Sequence, residues 1–309
     1  MKKNIISIIV FILLIISGCA EDKNVRELGE SLISKYGLKS SFVKVNNVEI
    51  HYVELGKGYP VILVHGWMGW GTYWRNIIPA LSKRYHVYAI DLIGHGLSEK
   101  PLEDNKYTTD AQARMIKDLM KKLSIDKAII LGHSMGGEIS AKIAIMYPDM
   151  VKKLILMGAL GMSQNVKKLP FLLKTAMTLP GKSFIAGLSS KFFIRYFLRN
   201  YGFYSGNPVG EDLIDNMFLV NFCNKEGRVA FQKIADNGLF RDSVEDKIST
   251  ISSPTLLIWG DSDLLSPLDC GKQYEKLIPE SRLVVLEKTG HMVFHERPKE
   301  IEKLVLDFL

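Results

Sequence analysis

The segment Gly132-His133-Ser134-Met135-Gly136-Gly137 follows directly on the apolar run 128–131 and precedes a stretch of helical character that begins near Glu138. Glycines on both sides of Ser134 permit a sharp strand-to-helix turn that a Cβ would obstruct, and they leave the Oγ exposed at a helix N-terminus. There the helix dipole and free backbone N–H groups favour the negative charge that develops as a hydroxyl adds to a carbonyl. Ser134 is the candidate nucleophile. A serine needs a base beside it, and the base needs an acid to orient it. Asp261 and Asp263, in the loop after the apolar run 255–259, are acids of the right chemistry. The bases are His291, which follows the run 283–286 and a Thr-Gly turn, and His295, four residues on.

The elements that must position these groups alternate in type. Residues 42–45 and 48–55 flank Asn46-Asn47 and read as a β-hairpin. Strand 61–64, helix 74–81, strand 87–90, helix 111–123, strand 128–131, helix 138–147 and strand 154–157 follow. The rhythm resumes with strand 255–259, helix 271–277, strand 283–286 and helix 299–309. Bare apolar runs separated by amphipathic helices imply strands covered on both faces, and so a mostly parallel sheet. Residues 162–246 interrupt it with a helical pattern that holds 13 of the 30 aromatics and none of the four Trp. That composition reads as a helical cap over a core made of residues 42–161 and 247–309.

The first residues have a different purpose. Met1-Lys2-Lys3 is a positive start, and residues 5–16 are apolar except for Ser7. Twelve residues are too few to span a bilayer but fit the apolar core of a signal peptide. Ile16-Ser17-Gly18-Cys19 resembles the lipobox of bacterial lipoproteins, which implies a signal peptide over 1–18 and lipidation of Cys19. Residues 19–41 then read as a tether that becomes a short helix, with Val25, Leu28, Leu32 and Tyr36 at helical spacing. The expected location is the bacterial cell envelope, with the chain held to a membrane outside the cytoplasm by lipid (the outer membrane in a Gram-negative organism).

Composition narrows the function further. With 47% hydrophobic residues the 309-residue chain has ample material for a packed core. The net charge of +7 is spread without a run of four basic residues, so no nucleic-acid partner is expected. Three cysteines are too few for a disulfide scaffold, and a Cys223–Cys270 pair and two separate thiols are both open. No H-E-x-x-H or C-x-x-C motif is present, so neither a metal nor a cofactor is expected.

From residue 42 to the C-terminus the chain resembles the α/β-hydrolase-fold serine hydrolases with a cap, in the esterase and lipase group. The resemblance rests on His65-Gly66, Asp91-Leu92-Ile93-Gly94-His95-Gly96-Leu97-Ser98, the Ser134 elbow, Trp259-Gly260-Asp261-Ser262-Asp263 and Thr289-Gly290-His291. It implies a catalytic triad of Ser134, Asp263 and His291, with Asp261 ordering the turn and His295 a packing or surface residue. It also implies an oxyanion hole formed by the backbone N–H groups of Met135 and Trp67. His65 and His95 are read as loop-ordering residues, and His133, common before the nucleophile in this pattern, is not the base. The expected reaction is hydrolysis of a carboxylic ester of a hydrophobic or acyl-chain small molecule through an acyl-enzyme. C–C bond hydrolases, haloperoxidase-like enzymes and aminopeptidases on the same fold are the alternatives, together with a lipoprotein that binds a hydrophobic ligand without turnover.

Overall fold

The computed structural model describes residues 24–163, 165 and 190–309. The expected signal peptide, Cys19 and residues 164 and 166–189 of the expected cap lie outside them. Eight strands form one sheet in the order β1-β2-β4-β3-β5-β6-β7-β8. They are β1 Lys39–Val45, β2 Val48–Leu55, β3 Tyr59–Val64, β4 Tyr85–Ile90, β5 Ala128–His133, β6 Val151–Met157, β7 Thr255–Gly260 and β8 Ser281–Leu286. β2 pairs antiparallel with both β1 and β4, and every other pairing is parallel. Asn46 and Asn47 close the first hairpin at φ 47° and 67°, the left-handed pair that a tight two-residue hairpin turn requires.

The bare apolar runs follow from burial on both faces. In β3, Val61 and Leu63 join one core cluster while Ile62 and Val64 join the other. β5 divides in the same way, with Ile129 and Leu131 on one side and Ala128 and Ile130 on the other. A period of two therefore sends a continuous apolar run to two separate cores. Helices α1 Val25–Lys35, α2 Ile78–Leu81, α9 Val293–Glu296 and α10 Pro298–Phe308 contribute to the first core. α3 Thr109–Lys122, α4 Met135–Met146 and α8 Leu268–Leu277 contribute to the second.

Three local differences from the sequence reading have physical causes. The helix expected over 74–81 is a 3₁₀ turn, Gly71–Trp74, followed by the short α2. Pro79 lacks an N–H and is tolerated only in the first turn of a helix, so α2 starts at Ile78. The nucleophile helix begins at Met135, not near Glu138, because the turn at Ser134 is completed within one residue. In α1 the buried stripe is Val25, Gly29 and Ile33, not Leu28 and Leu32. Gly29 packs tightly against Leu97, where an added Cβ would come within 2.6 Å of the side chain.

Between β6 and β7 lie α5 Lys191–Phe197, α6 Glu211–Phe222 and α7 Lys225–Asn237. Phe197, Leu198, Met217 and Phe231 from this stretch share a core cluster with Met68 and Met292, at the ends of the loops that follow β3 and β8. Cys223 and Cys270 are both buried and are not joined to one another.

Candidate active site

Ser134 has φ 56° and ψ −123°, a left-handed conformation that costs roughly 1–3 kcal/mol for a residue with a side chain. Four backbone hydrogen bonds hold it there. The Ser134 N–H donates to the Met157 carbonyl at 3.0 Å, and the Ser134 carbonyl accepts from Gly137, Glu138 and Leu160 at 2.9, 3.2 and 3.0 Å. Neighbouring backbone leaves no room for anything but glycine in the flanking turns. A Cβ on Gly132 would fall 2.3 Å from the Gly136 carbonyl oxygen, and one on Gly136 would fall 2.2 Å from that of Val64. The elbow is thus clamped between β3 and β6.

The loop after β7 supplies the acid. Asp263 is buried, and its Oδ2 accepts the Nδ1–H of His291 at 2.7 Å. Its Oδ1 takes the backbone N–H groups of Leu265 and Ser266 at 2.9 and 2.8 Å. This fixes the carboxylate plane and assigns His291 a proton on Nδ1, which leaves Nε2 to accept one. Asp261 bonds to its own loop and to the next one. Its Oδ1 accepts from the Ser262 hydroxyl at 2.8 Å, and its Oδ2 from the Lys288 N–H at 3.0 Å. It thereby ties the acid loop to the turn that carries His291. His295 is half-buried and packs edge-on against Tyr73, with ring centroids 5.3 Å apart.

Ser134 and His291 line one cavity of about 40 Å³, with Trp67, Met68, Tyr73, His133, Phe197, Leu198, Gly202, Met217, Leu265 and Met292. Met135 is the first residue of α4, where the N–H has no acceptor inside the helix and is available to an oxyanion. Gly66 presses against the nucleophile, so that a Cβ there would meet the Ser134 Cβ at 2.9 Å, and Trp67 follows it. The Trp67 ring stacks on Phe231 at 4.5 Å and meets Phe197 edge-on at 6.2 Å. One side chain thereby walls the cavity and binds the β3 loop to the helices of residues 190–237. His65 donates from Nδ1 to the Gly66 carbonyl at 2.7 Å and accepts the Leu92 N–H on Nε2 at 3.1 Å, joining the loops after β3 and β4. The His95 ring packs 4.8 Å from it.

Three residues at the site had no signal in the sequence. Gly158 has φ 48°, and a Cβ there would approach Asp263 Oδ2 at 3.0 Å and His291 Nδ1 at 3.1 Å. Tyr73 reaches His133 with its hydroxyl at 3.1 Å. Glu138, one turn into α4, accepts the Thr109 hydroxyl at 2.8 Å and lies 3.7 Å from Lys142 Nζ. Burial pushes its pKa up to about 7 against the pull of Lys142 and Thr109.

Comparison with known proteins bears on this arrangement. A family model described as alpha/beta hydrolase fold matches residues 59–298. This chain belongs to the alpha/beta hydrolase family. A 2-hydroxy-6-oxo-6-(2'-aminophenyl)hexa-2,4-dienoic acid hydrolase of Metapseudomonas resinovorans is 31% identical over 278 residues, 87% of this chain and 90% of the relative. A 2-hydroxy-6-oxo-6-phenylhexa-2,4-dienoate hydrolase of Comamonas testosteroni is 31% identical over 290 residues, 92% of this chain and 98% of the relative. A serine hydrolase involved in carbazole degradation matches in structure with a TM-score of 0.74 at 27% identity, over 88% of this chain and 98% of that one. The alpha/beta hydrolase fold and the hydrolase class expected from the sequence therefore stand. The two sequence relatives are named as hydrolases of oxo-dienoates, so kinship does not carry the narrower esterase and lipase grouping.

Proposed function

We propose that this alpha/beta hydrolase is a serine hydrolase that attacks the carbonyl of an uncharged, largely apolar acyl group. Ser134 Oγ adds to the carbonyl carbon while His291 Nε2 takes its proton. Asp263 stabilises the imidazolium so formed. The N–H groups of Met135 and Trp67 receive the oxyanion. His291 then returns the proton to the leaving group, and water resolves the acyl-enzyme by the same route.

Two scissile bonds fit this chemistry. Kinship supports C–C cleavage better than ester cleavage. A 6-oxo-dienoate offers a hydrolase neither an ester nor an amide, only the C–C bond beside its ketone. The lining of the cavity supports the ester, and that observation carries our assignment. The relatives' substrates are carboxylic acids, and burying a carboxylate needs a cation to pair with it. Among the described residues the cavity is walled by Trp67, Met68, Phe197, Leu198, Gly202, Met217, Leu265 and Met292 beside Tyr73, His133, Ser134 and His291, with neither Arg nor Lys. An ester with an apolar acyl group meets no such cost. The experiment compares p-nitrophenyl acyl esters with 2-hydroxy-6-oxo-6-phenylhexa-2,4-dienoate on the same preparation. A kcat/KM at least tenfold higher for the best ester supports the assignment; the reverse order returns the C–C reading to first place.

We further propose that Cys19 carries lipid and holds the enzyme in the bacterial cell envelope, as Ile16-Ser17-Gly18-Cys19 suggests. No described helix is long and apolar enough to cross a membrane. Growth with an alkyne-tagged fatty acid tests this: the wild type takes up the tag and Cys19→Ser does not. Equal tagging of both refutes it.

A further inference from the structure

We propose that His133, with its ring fixed by Tyr73, is a positioning residue that holds the backbone of the catalytic base in register with the nucleophile. The inference rests on the reading of His291 as that base. His133 immediately precedes Ser134 and is the last residue of β5. Its side chain lines the same cavity as Ser134, and Nε2 lies 2.9 Å from the carbonyl oxygen of His291. A carbonyl only accepts, so the ring carries its proton on Nε2 and donates it there. Nδ1 is then a lone pair, and the Tyr73 hydroxyl stands 3.1 Å from it. That hydroxyl also lies 3.2 Å from Met292 Sδ. It has one proton, and a ring nitrogen is a far better acceptor than a thioether. Tyr73 thereby locks the tautomer that donates to His291.

The surroundings leave His133 little freedom to do anything else. It is buried, and its ring is tilted by 51° against that of His291 with centroids 4.6 Å apart. Phe294 meets it edge-on at 5.1 Å, and the same Phe294 meets Tyr73 at 4.8 Å. Burial, and after it the neighbouring His291, holds the ring well below the usual histidine range. A neutral His133 keeps one donor and one acceptor, and it does not oppose the positive charge that His291 acquires. The nucleophile and the base come from segments 157 residues apart in sequence. One side chain, adjacent to the first and bonded to the main chain of the second, sets the distance between them.

Amide side chains separate this role from mere packing. The Gln amide can place its N–H near the position of Nε2, whereas the shorter Asn reaches only the position of Nδ1. For His133→Asn and His133→Ala we expect kcat on the best ester to fall about 10- to 100-fold with KM within about threefold, the size of loss that a misplacement of about 1 Å brings. His133→Gln should recover kcat to within about fivefold of wild type. Tyr73→Phe, which preserves the packing, should lower kcat by about three- to tenfold. Thermal melting run on each variant shows whether it is folded. His133→Gln no better than His133→Asn among folded variants, or an effect on KM alone, overturns the proposal. Should the His133 variants not fold, Tyr73→Phe with unchanged kcat overturns it. Turnover that survives in Ser134→Ala removes the underlying reading and this inference with it; Ser134-dependent turnover indifferent to His133 removes the inference alone.

Discussion

Replacing Asp263 by Asn should separate charge from shape at this site. The amide is nearly isosteric with the carboxylate, and its oxygen can still accept the Leu265 and Ser266 N–H groups that hold the loop. What changes is the atom facing His291 Nδ1 at 2.7 Å, which becomes a neutral N–H₂ donor. Coulomb's law for unit charges at that distance, with an effective dielectric of about 20, gives roughly 6 kcal/mol. That is between four and five powers of ten in rate if the whole pair energy is felt only when His291 is charged. Part of it is offset by the remaining amide dipole and by solvent entering the cavity, so we expect kcat to fall by about 10³–10⁴. In the serine-protease triad the same change costs about 10⁴. The assay is steady-state hydrolysis of the best p-nitrophenyl ester, with thermal melting to verify the fold and Asp261→Asn as the comparison. Asp261 meets only the turn, so its variant should lose less than about tenfold. A folded Asp263→Asn enzyme within tenfold of wild type would refute the reasoning. A larger loss for Asp261→Asn would move the acid's role to that residue.

Other consequences concern the frame around the triad. Glu138 is held protonated up to about pH 7 in the folded state, whereas an unfolded glutamate ionises near 4.5. Between those values the unfolded chain has released the proton and the folded one has not, so this group makes stability fall as pH rises through the window. Glu138→Gln should therefore stabilise the protein at pH 8 relative to pH 4 by up to about 3 kcal/mol, measured by urea unfolding; a gain that is the same at both pH values contradicts it. Gly66→Ala brings a Cβ to 2.9 Å from the Ser134 Cβ and 3.2 Å from His133 Nδ1. The loop bearing Trp67 must give way, so kcat should drop at least about tenfold while melting stays within a few degrees, and an unchanged kcat would count against the role of that loop.

Much of the site could be read from sequence because its chemistry is local. The elbow needs glycines within two residues of Ser134, and that requirement is visible as spacing. The loop acids and the Thr-Gly-His turn likewise sit directly behind apolar strands, so their placement follows from the sheet. The split of each strand between two cores explains why bare apolar runs marked them so clearly. What escaped notice is made by contacts between distant segments. Tyr73 lies on a 3₁₀ turn just ahead of the expected helix 74–81, and nothing about it points to a histidine 60 residues away. Gly158 looks like any glycine after a strand until the Asp263–His291 pair is set beside it. The buried state of Glu138, in the first turn of a helix where a carboxylate is ordinarily welcome, depends on the chain folding back over it at Gly161, where a Cβ would approach Glu138 Cγ at 3.0 Å.

The central claim is that Ser134 is the nucleophile, and mapping a fluorophosphonate adduct on the purified protein tests it most directly. A single adduct per chain, located by peptide mass spectrometry on Ser134 and lost in Ser134→Ala together with ester turnover, is the predicted result. An adduct on another residue, or labelling and turnover that persist in folded Ser134→Ala, would contradict it.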